Sequence, residues 1–257
     1  MTDLLSIGSG GIVGFALGLL GGGGSILAVP LLVYVVGVRS PHVAIGTSAL
    51  AVAVNAFGNL IAHSRAGHVK WPCAATFAGS GILGAALGAH LGQMVDGKRL
   101  IFLFGLIMLA VAAAMLSPRA AAGNPEVRLD RAIAVKLVAI GLLVGLLSGF
   151  FGIGGGFLIV PAIMLGSGMA TINAVGSSLV SVGTFGLTTA VSYAFAGLVD
   201  WRIAGLFILG GVVGGLLGVA LAKRLSARRA VLTRLFAGVV TAVAVYILWR
   251  SIPPVFG

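Results

Sequence analysis

All five acidic residues of this chain, Asp3, Asp96, Glu126, Asp130 and Asp200, fall outside ten apolar stretches, and none lies within one. The stretches cover residues 4–20, 24–37, 41–63, 70–93 and 99–116, then 132–151, 155–168, 171–196, 201–223 and 229–250. A hydrocarbon core roughly 30 Å thick needs about 20 apolar helical residues per crossing, and most of the stretches approach that length. Charged residues make up 8% of the 257 positions. A soluble domain carries about 25%, so a water-wetted globule is excluded. The apolar runs are continuous rather than alternating, which argues against a transmembrane barrel. The chain reads as an all-α polytopic membrane protein of about ten transmembrane helices, two of them short or broken.

The formal charge of +11 does not imply nucleic acid, because the Lys and Arg residues sit in short loops, where membrane proteins use them to set topology. Cys73 is the single cysteine, so a disulfide framework and a cysteine metal cluster are excluded. Met1-Thr2-Asp3 lacks the basic start of a cleavable signal, and residues 4–20 read as a retained first helix.

The chain also repeats itself. A shift of 131 superposes Gly14, Gly18, Gly21, Gly23, Gly24, Leu27, Val29 and Pro30 on identical residues, 8 matches in the 19 positions 14–32. A shift of 130 then aligns Gly46 and Ser48 with Gly176 and Ser178, and Ala66-Gly67-His68-Val69-Lys70-Trp71 with Ala196-Gly197-Leu198-Val199-Asp200-Trp201. Composition bias could match glycines, but not also a proline and a tryptophan in near-constant register. Two five-segment repeats follow, 1–116 and 132–257, joined by the polar stretch 117–131. If every segment crosses, the halves are inverted, and the Lys and Arg residues divide 11 against 5 in favour of the linker side. If the short segments are re-entrant, the split is 8 against 8. The positive-inside rule favours the inverted arrangement, with the linker cytoplasmic and both termini periplasmic. Trp71, Trp201 and Trp249 fall near segment ends, where interfacial anchors belong.

The main candidate for chemistry is Gly21-Gly22-Gly23-Gly24-Ser25-x4-Pro30, echoed as Gly152-Ile153-Gly154-Gly155-Gly156-x4-Pro161. Glycines let a helix break and expose backbone N–H groups, and a short helix beginning there directs its positive dipole end at the break. In a membrane this makes an anion site without a lysine. The blander reading is that the glycines allow turns and close packing. Interrupted segments at matching points of two halves nonetheless point to a transporter site near the midplane. The expected site comprises Gly23, Gly24, Ser25, Gly154, Gly155 and Gly156, with Thr47, Ser48, Ser177 and Ser178 facing it. Ser48, Asn55, Asn59 and His63 share one helix face, as do Ser177, Ser181, Thr184, Thr188 and Ser192. These polar groups either replace the water around an anion or join helices by hydrogen bonds. Asn55 is counted with the binding set; His63 and His90, near helix ends, read as interfacial.

The doubled glycine–proline motif, the Gly46-Thr47-Ser48 and Gly176-Ser177-Ser178 that follow, and the Ala-Gly-x-Val-x-Trp pair resemble the TauE/SafE sulfite exporter family over nearly the whole chain. The resemblance implies a bacterial inner-membrane transporter of small sulfur-containing or organic anions, such as sulfite, thiosulfate or organosulfonates. Ser25 stands where the second copy has Gly156, which makes the two breaks unequal. No carboxylate lies in an apolar stretch, which argues against a carboxylate proton relay or a divalent-cation carrier and suits an anion.

The expectation is a secondary transporter, not an enzyme, with no cofactor and no metal. Its partners are a small anion and the bilayer, with self-association into a homodimer left open. A drug/metabolite-type five-plus-five carrier is the alternative on fold. A membrane-embedded lipid-phosphate hydrolase is the alternative in another class, though it needs acid–base or metal groups that the apolar stretches do not offer.

Overall fold

A computed structural model of the chain describes residues 2–116, 123–124, 126–152, 156–224 and 229–256. These residues are helical apart from short corners and one isolated bridge between Asn124 and Met169. The α-helices are α1 (Thr2–Leu20), α2 (Ala28–Pro30), α3 (Pro41–Arg65), α4 (Trp71–Met94), α5 (Gly97–Leu116), α6 (Arg131–Phe151), α7 (Gly156–Ser167), α8 (Thr171–Phe195), α9 (Trp201–Arg224) and α10 (Arg229–Phe256). Among the described residues seven helices are long and apolar enough to cross a membrane, and 23–36, 158–167 and 236–251 form shorter apolar helices. Two of the shorter ones are the stretches read as short or broken.

The acidic residues are spent at helix ends. Asp130 Oδ1 accepts the Ile133 N–H at 2.7 Å and Asp200 Oδ1 accepts that of Ile203 at 2.9 Å, capping α6 and α9. Asp96 Oδ1 accepts from the N–H groups of Lys98 and Arg99 at the start of α5. Asp3 pairs with Arg202 at 2.7 Å. Ser40 and Pro41 open α3 as a cap followed by proline at the first turn.

The packing is crosswise. The face of α1 lies on α9, that of α6 on α4, α3 on α8, and α5 on α10. Along the first contact Gly10 meets Phe207, Gly14 meets Gly211 and Gly18 meets Gly215, so α1 and α9 run parallel. Along the second, Gly141 meets Phe77, Gly145 meets Gly81 and Gly149 meets Ala85, so α6 and α4 run parallel too. At Gly14 and Gly145 the space of a Cβ is filled by a carbonyl oxygen of the facing helix, so backbone touches backbone there. In contrast, Gly46 meets Tyr193 while Gly183 meets Phe57, so α3 and α8 run antiparallel through the centre. Leucines on the outer faces, such as Leu83, Leu87 and Leu216, are exposed, as a lipid-facing surface requires. Trp71, Trp201 and Trp249 are exposed near helix ends.

Candidate functional site

The first glycine run is not the start of a plain helix. Gly21–Leu27 is a 3-10 turn, Ala28–Pro30 a single α-helical turn, and Leu31–Val36 a π-helical turn. Pro30 stands where the α-helical turn gives way to the π-helical one. It has no N–H to donate, and its ring clashes with the carbonyl four residues back. The ladder resumes at wider spacing, a distortion common at functional sites. In the second half α7 starts at Gly156 and holds Pro161 within it. Gly154 and Gly155 lie outside the described residues. In the first half the segment expected to be short or broken is broken, and in the second α7 is short.

After the 3-10 turn the chain folds back on α1. A Cβ on Gly24 would press into the backbone of Ala16 and Leu17, whereas one on Gly23 would meet nothing within 4 Å. Ser25 is fully buried. The 3-10 turn also packs against α7 and α8, so the two interrupted segments touch.

The hydroxyls of the repeated Gly-Thr/Ser-Ser have defined partners. Thr47 Oγ1 accepts the N–H of Asp200 at 3.0 Å, and Ser177 Oγ accepts the N–H of Lys70 at 2.9 Å. Each donor stands at the start of the helix that follows an Ala-Gly-x-Val-x-Trp corner. In those corners Gly67 and Gly197 adopt left-handed φ of 72° and 70°, which glycine permits. Gly46 and Gly176 lie against the carbonyls of Leu198 and His68, and Asn173 Nδ2 donates to His68 O at 3.3 Å. The two repeated motifs thus recognise each other across the chain. Ser48 and Ser178 instead donate to carbonyls of their own helices, Ile45 at 3.0 Å and Val175 at 2.8 Å. At Thr47 and Ser177 the oxygen is the acceptor, which leaves each hydroxyl proton to donate elsewhere.

The structure does not bring the two hydroxyl pairs together. Tyr193, beside Gly46, lies 16 positions along α8 from Ser177. At 1.5 Å per residue that separates them by about 24 Å. Thr47 and Ser48 lie near the interrupted segment of the other half. Gly152, with φ 65°, abuts Ile45, whose carbonyl holds Ser48. The 3-10 turn of Gly21–Leu27 packs on α8, which bears Ser177 and Ser178. The Thr47–Ser48 and Ser177–Ser178 pairs thus lie toward opposite ends of the α3–α8 pair.

Asn55 lies between those ends. It is 3% exposed, its amide rests on Gly211 of α9, and neither Nδ2 nor Oδ1 has a hydrogen-bond partner. Leaving such a group unpaired in an apolar interior costs roughly 1–3 kcal/mol. Ser148, Ser181, Thr189 and Tyr193 also carry buried unpartnered hydroxyls. Nothing in the sequence singles out Ser148, Thr189 or Tyr193, because one polar atom in an apolar helix is ordinary. A cavity of about 550 Å³ between α1 and α9 is apolar, lined by residues such as Ile7, Phe15, Val213 and Leu217, and holds none of the expected binding residues. Among the described residues no three His, Cys, Asp or Glu side chains gather as a metal site would require.

The sequence profile of the family described as Sulfite exporter TauE/SafE matches residues 6–247. A probable membrane transporter protein of Xylella fastidiosa (strain 9a5c) is 57% identical over 96% of this chain and 95% of its own length. The probable membrane transporter protein YunE of Bacillus subtilis is 28% identical over 90% of this chain and 93% of its own. One from Methanocaldococcus jannaschii is 30% identical over 69% of this chain and 67% of its own. No solved structure matches the chain.

Proposed function

We propose, for a chain that belongs to the TauE/SafE sulfite exporter family of membrane transporters, secondary transport of small sulfur-containing or organic anions across a bacterial inner membrane. Sulfite, thiosulfate and organosulfonates are the substrate candidates. The observation that carries the reading is the crosswise pairing of an interrupted segment from one half with a hydroxyl pair from the other. Broken backbone offers N–H groups to an anion, and Thr47 and Ser177 each keep a hydroxyl proton to donate. Gly23, Gly24, Ser25, Ser177 and Ser178 form one half-site; Gly156, Thr47 and Ser48 form the other, to which the sequence motif adds Gly154 and Gly155. Asn55 lies on the path between them. No cationic side chain is assigned to either half-site, so binding is weak enough for release.

The mechanism is alternating access between inverted repeats, with the anion passing from one half-site to the other as the halves rock. Support comes from contacts that recur when residue numbers shift by 130 or 131. Gly14 on Gly211 matches Gly145 on Gly81, and Thr47 with Asp200 matches Ser177 with Lys70. The antiparallel α3 and α8 agree with every segment crossing, the arrangement that the 11-to-5 charge split favours, and on that split the proposed orientation has the linker in the cytoplasm and both termini in the periplasm. The test is purified protein in liposomes, assayed for uptake of sulfite, thiosulfate, sulfonates, carboxylates and neutral metabolites. Uptake confined to the anions is the expected result; uptake of neutral metabolites alone would move the protein to the drug/metabolite type of carrier.

A further inference from the structure

The two halves differ at residue 55, midway along α3. Asn55 of α3 rests on Gly211 of α9. Shifting both numbers by 130 relates the pair to Phe185 of α8 and Gly81 of α4, which also touch. Phe185 is fully buried and stacks on Phe77 with ring centroids 6.1 Å apart and planes at 26°. Phe207, the counterpart of Phe77, is fully buried as well. The two seams are therefore alike in helices, in the glycine under residue 55 or 185 and in the flanking phenylalanine, and differ in the side chain that rests on that glycine. In one seam a phenyl ring fills the space. In the other, a smaller carboxamide is buried with both polar atoms unpartnered. One turn further, Asn59 lies 3.4 Å from the Cβ position of Gly215, where the other seam has Thr189 and Ala85.

We infer that only the α3–α9 seam conducts: Asn55 is the midplane ligand that determines passage of an oxyanion, and Phe185 plugs the matching α4–α8 seam. The inference rests on the anion-transport reading and on the repeat. An unpaired carboxamide in an apolar medium wants a partner. Its Nδ2 offers two donors to an anion's oxygens, and its Oδ1 accepts from an oxyanion that carries one proton. A phenyl ring offers neither. A buried amide that served only to join helices would be bonded to one of them.

The test compares the two matched positions in the full-length protein. In liposomes loaded for radiolabelled sulfite uptake, Asn55→Leu should lose at least ten-fold of the rate, whereas Phe185→Leu should stay within about two-fold. Equal effects at both positions overturn the inference. A second readout covers a variant that inserts poorly. In a Cys73→Ser background, Asn55→Cys and Phe185→Cys are exposed to an anionic methanethiosulfonate reagent. The thiol at 55 should react at least ten-fold faster than the thiol at 185, and equal rates overturn the asymmetry. If wild-type protein takes up none of the anions, the transport reading fails by itself, while the thiol comparison still reports which seam is open to water.

Discussion

Thr47 on α3 accepts the backbone N–H of Asp200 at the start of α9, 3.0 Å away and 153 positions later in the chain. With its counterpart, Ser177 to Lys70 at 2.9 Å, it ties each end of the central helix pair to a corner built by the opposite half. A hydroxyl that serves a buried N–H contributes about 1 kcal/mol. Thr47→Val and Ser177→Ala should each lower stability by about 1–2 kcal/mol, and Thr47→Ser should be near neutral. Because the sites lie about 24 Å apart along the bundle, the losses should add. Denaturation in detergent, followed by helix signal, measures this.

Ser48 and Ser178 do not serve the corners, so their hydroxyls can turn to substrate. Losing one donor to a charged partner costs about 1.5–3 kcal/mol, or roughly ten- to a hundred-fold in affinity. Ser48→Ala and Ser178→Ala should each raise the apparent substrate constant by about that range in liposome uptake, with stability little changed. An unchanged constant in both would remove these serines from the site.

Glycines in the first break separate packing from binding. A methyl on Gly24 runs into α1, so Gly24→Ala should fail to fold stably. A methyl on Gly23 meets open space within 4 Å, so Gly23→Ala should insert and survive gel filtration. Reduced uptake by that intact variant is expected, because the added methyl occupies the face where an anion meets backbone. Wild-type rates would make Gly23 a spacer.

The carboxylates predict independence from an acidic proton relay. Asp96, Asp130 and Asp200 accept helix-start N–H groups, work that an asparagine also does. The combined Asp96→Asn, Glu126→Gln, Asp130→Asn and Asp200→Asn variant should therefore keep most of its transport. The alanine versions should each lose about 1 kcal/mol of stability. Abolished uptake in a stable asparagine variant would require a carboxylate in the mechanism.

Topology is open to a labelling test. In a Cys73→Ser background, Arg128→Cys should resist an impermeant thiol reagent in intact cells, and Lys98→Cys should react readily. The reverse pattern would turn the molecule over.

How much of this was legible in the sequence depends on distance along the chain. The ends of the helices were readable because local chemistry marks them: Pro41 and Trp71 begin helices, and Asp130 caps one. The offset of 130 or 131 was readable because whole motifs recur. The linkage of Thr47 to Asp200 was not, since it depends on helix directions that no local pattern encodes. Nor was the 3-10 and π character of residues 21–36, where the chain folds back on α1. For that reason motif spacing alone gathers Thr47, Ser48, Ser177 and Ser178 into one cluster, whereas the antiparallel α3 and α8 hold them apart. Asn55 was readable as a polar residue on the right face; its lack of a partner was visible only once Gly211 lay beneath it.

The seating of α1 on α9 sets an order of events during synthesis. Gly14 touches Gly211, 197 positions later, whereas Gly145 touches Gly81, which has already been made. At roughly 5–20 residues per second, the ribosome needs about 10–40 s to supply the partner of α1. The junction between α4 and α6 therefore closes first, and the earliest helix to enter the bilayer waits there with its glycine face against lipid until nearly the last one arrives.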